Sequence, residues 1–192
     1  FCIMKLPIVA YGDPVLKKVA VDIDENYPEL PALIENMFET MYNANGVGLA
    51  APQIGLSIRL FVIDATPFAD EDASLATFKK AFINPVITEE SGKEWKFNEG
   101  CLSIPDIRED VSRKEQITIS YYDENWKHHE DTFNGLAARV IQHEYDHIEG
   151  KLFTDRISAL RKAMLKGKLD AIVKGHVNPG YRMKFATNRK KR

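Results

Sequence analysis

Cysteine is scarce in this chain: 192 residues hold two, Cys2 and Cys101. With Cys2 in the first three residues, a disulfide framework is not the expected source of stability. Long apolar runs are missing as well. None approaches the roughly 20 residues that span a bilayer, so the chain reads as soluble, without a membrane partner. The opening "FCIMKLPIVAYGDP" lacks a long apolar core and a small-residue cleavage site, so it does not read as a signal peptide. Met4 reads as the natural start and residues 1–3 as a leader or fusion remnant. These absences together point to a reducing, cytoplasmic setting in which Cys101 is free to be a core thiol, a nucleophile or a ligand.

A net excess of charge is also lacking, the formal total being −2. That total hides an asymmetry. Asp155 to Arg192 contains twelve Lys/Arg against Asp155 and Asp170, a local charge of +10, so the remaining residues carry −12. A basic end on an acidic body suits either a polyanionic partner or plain solvation.

What is present is enough for a domain. Apolar residues make up 44% of the chain, and its length suits one core. Leu30 to Tyr42 has helical periodicity, with Leu33, Met37, Phe38 and Met41 on one side. The Gly-rich "NANGVGLAAPQIG" follows, then a strand over Arg59–Asp64, an exposed loop "TPFADEDASLATF", and β-rich pieces "AFINPVI", "EWKFNEGCLSI" and "QITISYYD". Leu136–Glu149 reads as a second helix stopped by Gly150. Arg156–Lys174 reads as a third, with Ile157, Leu160, Met164, Ile172 and Val173 near one face. The lack of regular alternation favours α+β: antiparallel sheets packed around a central helix, then a C-terminal helix. The expected organisation is one catalytic domain over 1–174 and a poorly ordered basic tail over 175–192.

The second helix carries "QHEYDH", Gln142–His147. His143-Glu144-Tyr145-Asp146-His147 is an H-E-x-x-H pattern, which places two imidazoles one turn apart on one face with a carboxylate beside them. The flanking Leu136, Ala137, Val140, Ile141 and Ile148 put that helix in a core, where two histidines and an acid without partners would be costly. Two imidazoles leave a catalytic metal site one protein ligand short. Glu149 is too close, and His176 lies in the basic end. Cys101, in "NEGCLSIPD" beside Gly100, is the better third ligand; the bland alternative is an inert buried thiol.

Three stretches stand in order: "GVGLAAPQIG" (46–55), "EGCLS" (99–103) and "QHEYDH" (142–147). Together they resemble the peptide deformylases, which remove the formyl group from the N-terminal methionine of new polypeptides. "LPIVAYGDPVL" and "HIEGKLFTDRIS" extend the resemblance over roughly Leu6 to Ser158. The resemblance implies Cys101, His143 and His147 as ligands of one divalent ion, most often Fe²⁺, with Zn²⁺, Ni²⁺ or Co²⁺ as substitutes. It implies Glu144 as general acid/base, and Gln53 with the Leu102 N–H as donors to the formyl oxygen. It further implies a methionine pocket lined by Val47, Leu136, Val140 and His143, with Gly48, Glu99 and Gly100 in the same substrate region and Arg113 paired to Glu99. Arg139 stands where many relatives have an apolar residue, and its charge is expected at the pocket mouth or in solvent. The substrate would be a formyl-methionyl nascent chain, and the basic end would meet the ribosome surface. Two rival readings stand beside this one. A zincin-type zinc metallopeptidase would take its third ligand downstream and ignore Cys101. A non-enzymatic metal- or nucleic-acid-binding protein would rest on the basic end alone.

Overall fold

The structure is a computed structural model and describes residues 3–188. Its frame is a five-stranded antiparallel sheet. The strands are β2 (Gly48–Ala50), β3 (Leu60–Asp64), β4 (Lys79–Cys101), β5 (Ile104–Tyr122) and β6 (His128–Asn134), in that spatial order. The two β-rich pieces read as separate, "AFINPVI" and "EWKFNEGCLSI", are one strand. β4 runs through Pro85 and past four register shifts, the last at Gly100/Cys101, before its final pair with β5, Cys101 and Ile104. Those irregularities bend the long hairpin so that its Cys101 end turns back onto the helix.

Two helices flank the sheet, α1 (Leu30–Asn43) and α2 (Gly135–Ile148). α2 is the central element. Ala137, Ala138, Ile141 and Ile148 pack with Phe61, Phe82, Ile117, Ile119 and Tyr121 of the sheet. Phe61 and Phe82 stack with ring centres 4.8 Å apart, which fills the volume beneath the helix. The helix stops at Gly150, whose φ is +69°; a Cβ there would also lie 2.7 Å from the Lys17 carbonyl oxygen. The antiparallel expectation therefore holds for the sheet, while a separate pair, β1 (Ile8–Val9) with β7 (Met183–Lys184), is parallel. No helix among the described residues is long and apolar enough to cross a membrane.

Two expectations fail at the C-terminal end. The third helix, α3 (Ala159–Val173), buries Ile172 as expected, but together with Leu165 and Leu169, while Leu160 and Met164 are 72% and 66% exposed. Both stripes have helical spacing, and packing against Ile107, Val111 and Phe153 selects the first. The tail expected from residue 175 is, over 175–188, built into the fold. β7 pairs with β1, Phe185 packs on the α3 cluster, and the Tyr181 hydroxyl donates to the Leu102 carbonyl at 2.7 Å. Alternate residues Tyr181, Met183 and Phe185 are half-buried and apolar, and β1 offers a free edge for them to pair with. Residues 189–192 and Cys2 lie outside the described residues.

Candidate metal centre

The site forms where the Cys101 end of the β4–β5 hairpin meets one face of α2. The Cys101 Sγ, a nitrogen of His143 and a nitrogen of His147 lie within 4.8 Å of one another. Cys101 Sγ is 3.4 Å from His147 Nε2, close to the ~3.5 Å that bonds of about 2.0–2.3 Å at tetrahedral angles give. His143 Nδ1 is 2.9 Å from Glu99 Oε2. That leaves its Nε2 for an ion and fixes the ring from behind, the usual carboxylate–histidine backing of a metal ligand. Burial pushes His147 down, and the neighbouring His143 adds to it, so the ring is neutral, the form a metal needs. Burial works against a proton on His143, yet hydrogen bonds with Cys101 and Glu99 outweigh it and raise the group. The sulfur and carboxylate that favour a proton there would equally favour a metal cation. The donor set, its spacing and its backing therefore fit one ion. Among the described residues this is the one group of at least three such side chains close enough to hold a metal.

Glu144 lies beside the trio. It is 4% exposed, and its Oε2 has no hydrogen-bond partner. Burial pushes its pKa up to about 7, which suits a group that must both take and give a proton. Gly48 on β2 makes the room for it, since a Cβ there would overlap Glu144 Oε1. Gln53 sits in a short 3₁₀ turn, Ala51–Ile54. Its Oε1 accepts from Ala50 N at 2.9 Å, and its Nε2 donates to Ser103 Oγ at 3.2 Å and lies 3.5 Å from Cys101 Sγ. The amide is thereby oriented with N–H toward the site. Gly48, Gln53, Cys101, His143 and Glu144 open onto a cavity of about 470 Å³, while His147 is buried off its wall.

Set beside known proteins, the chain matches the polypeptide deformylase family model over residues 5–163. The chain belongs to the polypeptide deformylase family. Metal-dependent removal of an N-formyl group from a polypeptide, the activity general to these hydrolases, is its activity. It is 60% identical to the peptide deformylase of Christiangramia forsetii over 196 residues, covering 98% of this chain and 100% of that one. Among solved structures, the peptide deformylase of Legionella pneumophila superposes with a TM-score of 0.78 at 40% identity, covering 90% of this chain and 98% of that one. The enzyme from Thermotoga maritima gives 0.73 at 41% identity, covering 81% and 99%. The zincin and non-enzymatic readings fall with this membership.

Of the expected deformylase site residues, Val47, Gly48, Gln53, Glu99, Gly100, Cys101, Leu102, Val140, His143 and Glu144 all line the cavity. Leu136 does not. It lies one turn of α2 before Val140 and packs against the aromatic core instead. Arg113 is 3% exposed and grips both Glu99 oxygens, at 2.7 and 2.9 Å.

Arg139 meets half of its expectation: it does line the cavity. It is 2% exposed rather than rim-bound. Its Nη1 donates to Glu99 Oε1 at 2.9 Å and to the Val111 carbonyl at 3.0 Å, and its Nη2 to the Trp95 carbonyl at 2.6 Å. Its guanidinium also lies 4.4 Å above the Trp95 ring. A carboxylate, two carbonyls and an aromatic face replace water around the charge. The sequence reading missed Phe68, Phe97, Arg108, Pro179 and Tyr181 on the cavity wall. None lies in a motif. The aromatic pair Trp95 and Phe97, just before Glu99, was the one local hint of an apolar rim.

Proposed function

We propose that Cys101, His143 and His147 hold one divalent ion and that Glu144, Gln53 and the Leu102 N–H carry out deformylation around it on N-formyl-methionyl chains. The observation that carries this is the convergence of three metal-competent side chains beside a buried carboxylate with an unpaired oxygen, with Cys101, His143 and Glu144 on the cavity wall. The ion's contribution, when bound, is Lewis-acid activation of a water molecule and of the formyl carbonyl. Glu144 takes a proton from the water as its oxygen adds to the formyl carbon. The Gln53 Nε2–H and the Leu102 N–H donate to the formyl oxygen as charge builds on it. Glu144 then passes the proton to the amine as the C–N bond breaks, and formate and a free N-terminus leave. Val47, Val140 and the His143 ring supply the apolar wall for the methionine side chain, with Leu136 packed one turn of α2 before Val140. Glu99, clamped by two arginines, keeps His143 in its ligating orientation.

Fe²⁺ is the ion in this reading, after the family resemblance. Zn²⁺, Ni²⁺ and Co²⁺ suit the same donors. Ferrous iron beside a thiolate makes the enzyme sensitive to oxygen. The reading puts the enzyme in the cytoplasm, where formylated nascent chains emerge, and gives the basic C-terminal end the ribosome surface as partner. The deciding experiment is formate release from a short formyl-methionyl peptide by anaerobically prepared protein, with metal analysis of the same sample. One ion per chain with formate released supports the assignment. One ion per chain with no formate overturns it.

A further inference from the structure

One wall of the cavity is made by Pro179 and Tyr181, in a segment beyond residue 163, where the family match ends. Its position is set by the pairing of the two ends of the chain. Ile8 N donates to the Arg182 carbonyl and Ala10 N to the Lys184 carbonyl, each at 2.9 Å. This pair delivers two hydrogen bonds to consecutive carbonyls of the turn that follows the metal-competent cysteine. Tyr11 N donates to the Ser103 carbonyl at 2.8 Å, and the Tyr181 hydroxyl donates to the Leu102 carbonyl at 2.7 Å. From the opposite side Gln53 Nε2 holds Ser103 Oγ at 3.2 Å. The Leu102 side chain is confined as well, because Gly46 approaches so closely that a Cβ would lie 2.7 Å from Leu102 Cδ1.

A turn between two long strands has one soft motion, rotation of its peptide planes. The Leu102 carbonyl lies outside the sheet ladder: Cys101 pairs with Ile104, and Leu102 and Ser103 are the unladdered residues between them. The Leu102 N–H lies in the preceding peptide plane, joined to this one at Leu102 Cα, so an anchor on the Leu102 carbonyl fixes the atom through which that N–H and the adjoining Cys101 are aimed. Displacements of about 1 Å at a reacting centre cost orders of magnitude in rate, so an anchor on this carbonyl has a functional effect out of proportion to its energy.

We propose that Tyr181 is a positioning residue for deformylation: its hydroxyl, carried in by the β1–β7 pair, locks the Cys101–Ser103 turn so that the Leu102 N–H and the Cys101 sulfur keep their aim. This rests on the roles assigned above to Cys101 and Leu102. Tyr181 touches no reacting atom in this account. It acts through the backbone it holds, and it ties the C-terminal segment to catalysis.

The test is Tyr181→Phe, which keeps the ring on the cavity wall and removes one hydrogen bond. kcat should fall about five- to tenfold, the range that removal of one hydrogen bond supports, with KM within a factor of two. In cobalt-loaded protein the thiolate-to-metal absorption band should shift or broaden. Met183→Ala is the control: it loosens β7 without removing the hydroxyl, so it should lower the melting temperature and leave kcat per folded molecule within twofold. The proposal is overturned if Tyr181→Phe keeps kcat within twofold of wild type with an unchanged cobalt band. It is equally overturned if Met183→Ala reproduces the fall in kcat per folded molecule, since the segment would then be a structural strap. Wild type separates the underlying reading from this one. If the cobalt-loaded wild type has no thiolate band, Cys101 as a ligand fails, while the comparison of kcat values still decides the role of Tyr181.

Discussion

Arg139 donates to Glu99 Oε1 at 2.9 Å, on the same oxygen that accepts from Arg113 Nε at 2.7 Å. Two buried guanidinium groups thus share one carboxylate oxygen, while the other oxygen meets Arg113 again and His143. Burial works against a charge on Glu99, but the hydrogen bonds from Arg113 and His143 win and hold it well below the usual carboxylate range. The excess positive charge is shared out: Arg113 also reaches Asp146 at 2.8 Å, and Arg156 caps the far side of Asp146. The network leaves His143 backed by a fully ionised carboxylate.

Arg139→Leu follows from that geometry. The change removes one of three hydrogen-bonding partners of Glu99 and strips donors from the Trp95 and Val111 carbonyls. Breaking a buried ion pair outright costs about 3–5 kcal/mol. With Arg113 and His143 still in place the expected destabilisation is smaller, about 2 kcal/mol in urea denaturation. Activity should stay within a few-fold of wild type, because Arg113 alone can hold Glu99. A variant as stable as wild type would show Arg139 to be a passenger in the network.

Cys101→Ala and Glu144→Gln should separate binding from chemistry. Cys101→Ala loses a ligand, so metal content and activity should fall together. Glu144→Gln keeps all three ligands, so the ion should stay while the rate drops by about 10²- to 10⁴-fold, the usual effect of removing a general acid/base. Gln53→Ala should likewise retain metal and lose about 10²-fold in kcat/KM, as for one oxyanion donor. Full metal occupancy in Cys101→Ala would remove it from the ligand set.

Gly48→Ala tests a fit that comes only from the fold. The added methyl would overlap Glu144 Oε1. Gly48 is on a strand and its φ is not positive, so the backbone accepts alanine, and the carboxylate must move. The expected outcome is a folded protein with near-normal metal content and at least about tenfold less activity. Unchanged turnover would mean that Glu144 works equally well from a displaced position.

These cases mark what was legible in the sequence. H-E-x-x-H declared itself because its parts are one helical turn apart, and local spacing fixes them. Cys101 could be inferred because a two-histidine site needs a third ligand. Arg139 was misplaced because a lone arginine defaults to solvent, and the partners that bury it, Trp95, Glu99 and Val111, stand far from it in the chain. α3 offered two apolar stripes, and only its docking partners chose Leu165 and Leu169 over Leu160 and Met164 to be buried with Ile172. Tyr181 had no signal at all: its role depends on β1 and β7 pairing across nearly the whole chain.

Asp155 gives a prediction in pH. Burial opposes its charge, yet hydrogen bonds from Lys17, Leu152 N and Lys162 lower its pKa to about 2. A carboxylate depressed in the folded state stabilises above its unfolded pKa, about 3.9, and loses that contribution as pH falls through the folded value. The stability gap between wild type and Asp155→Asn should therefore be constant near neutrality and close between about pH 4 and pH 2. Its size should be about 1 kcal/mol, given partial exposure of the lysines. Paired denaturation curves near neutrality and at the lowest pH where both proteins fold would show it. A gap that widens toward acid would contradict the assignment.

The basic C-terminal end supports a prediction about the partner rather than the reaction. Lys166, Lys168 and Lys174 lie on or just after α3 and are exposed, and no ion pair involving them is seen among the described residues. Arg161 and Lys162 are instead engaged with Glu109 and Asp155. Removing the chain from Arg182 onward would be a poor test of docking, since it would delete β7 and the anchoring of Tyr181 with it. Point changes avoid that. A Lys166→Glu, Lys168→Glu, Lys174→Glu variant keeps the buried stripe of α3 and lies outside the cavity, so turnover of a short formyl-methionyl peptide should match wild type. If these lysines bind ribosomal RNA phosphates, co-sedimentation with ribosomes should weaken most at low salt. The log–log salt dependence should also flatten by about 0.7–0.9 for every phosphate that no longer meets a lysine. Equal co-sedimentation of variant and wild type across the salt series would leave these lysines as a solvated face. Collapse of short-peptide turnover would mean instead that α3 supports the active site through the Leu165–Leu169–Ile172 stripe, which packs directly beneath the strand that carries Ile107 and Val111.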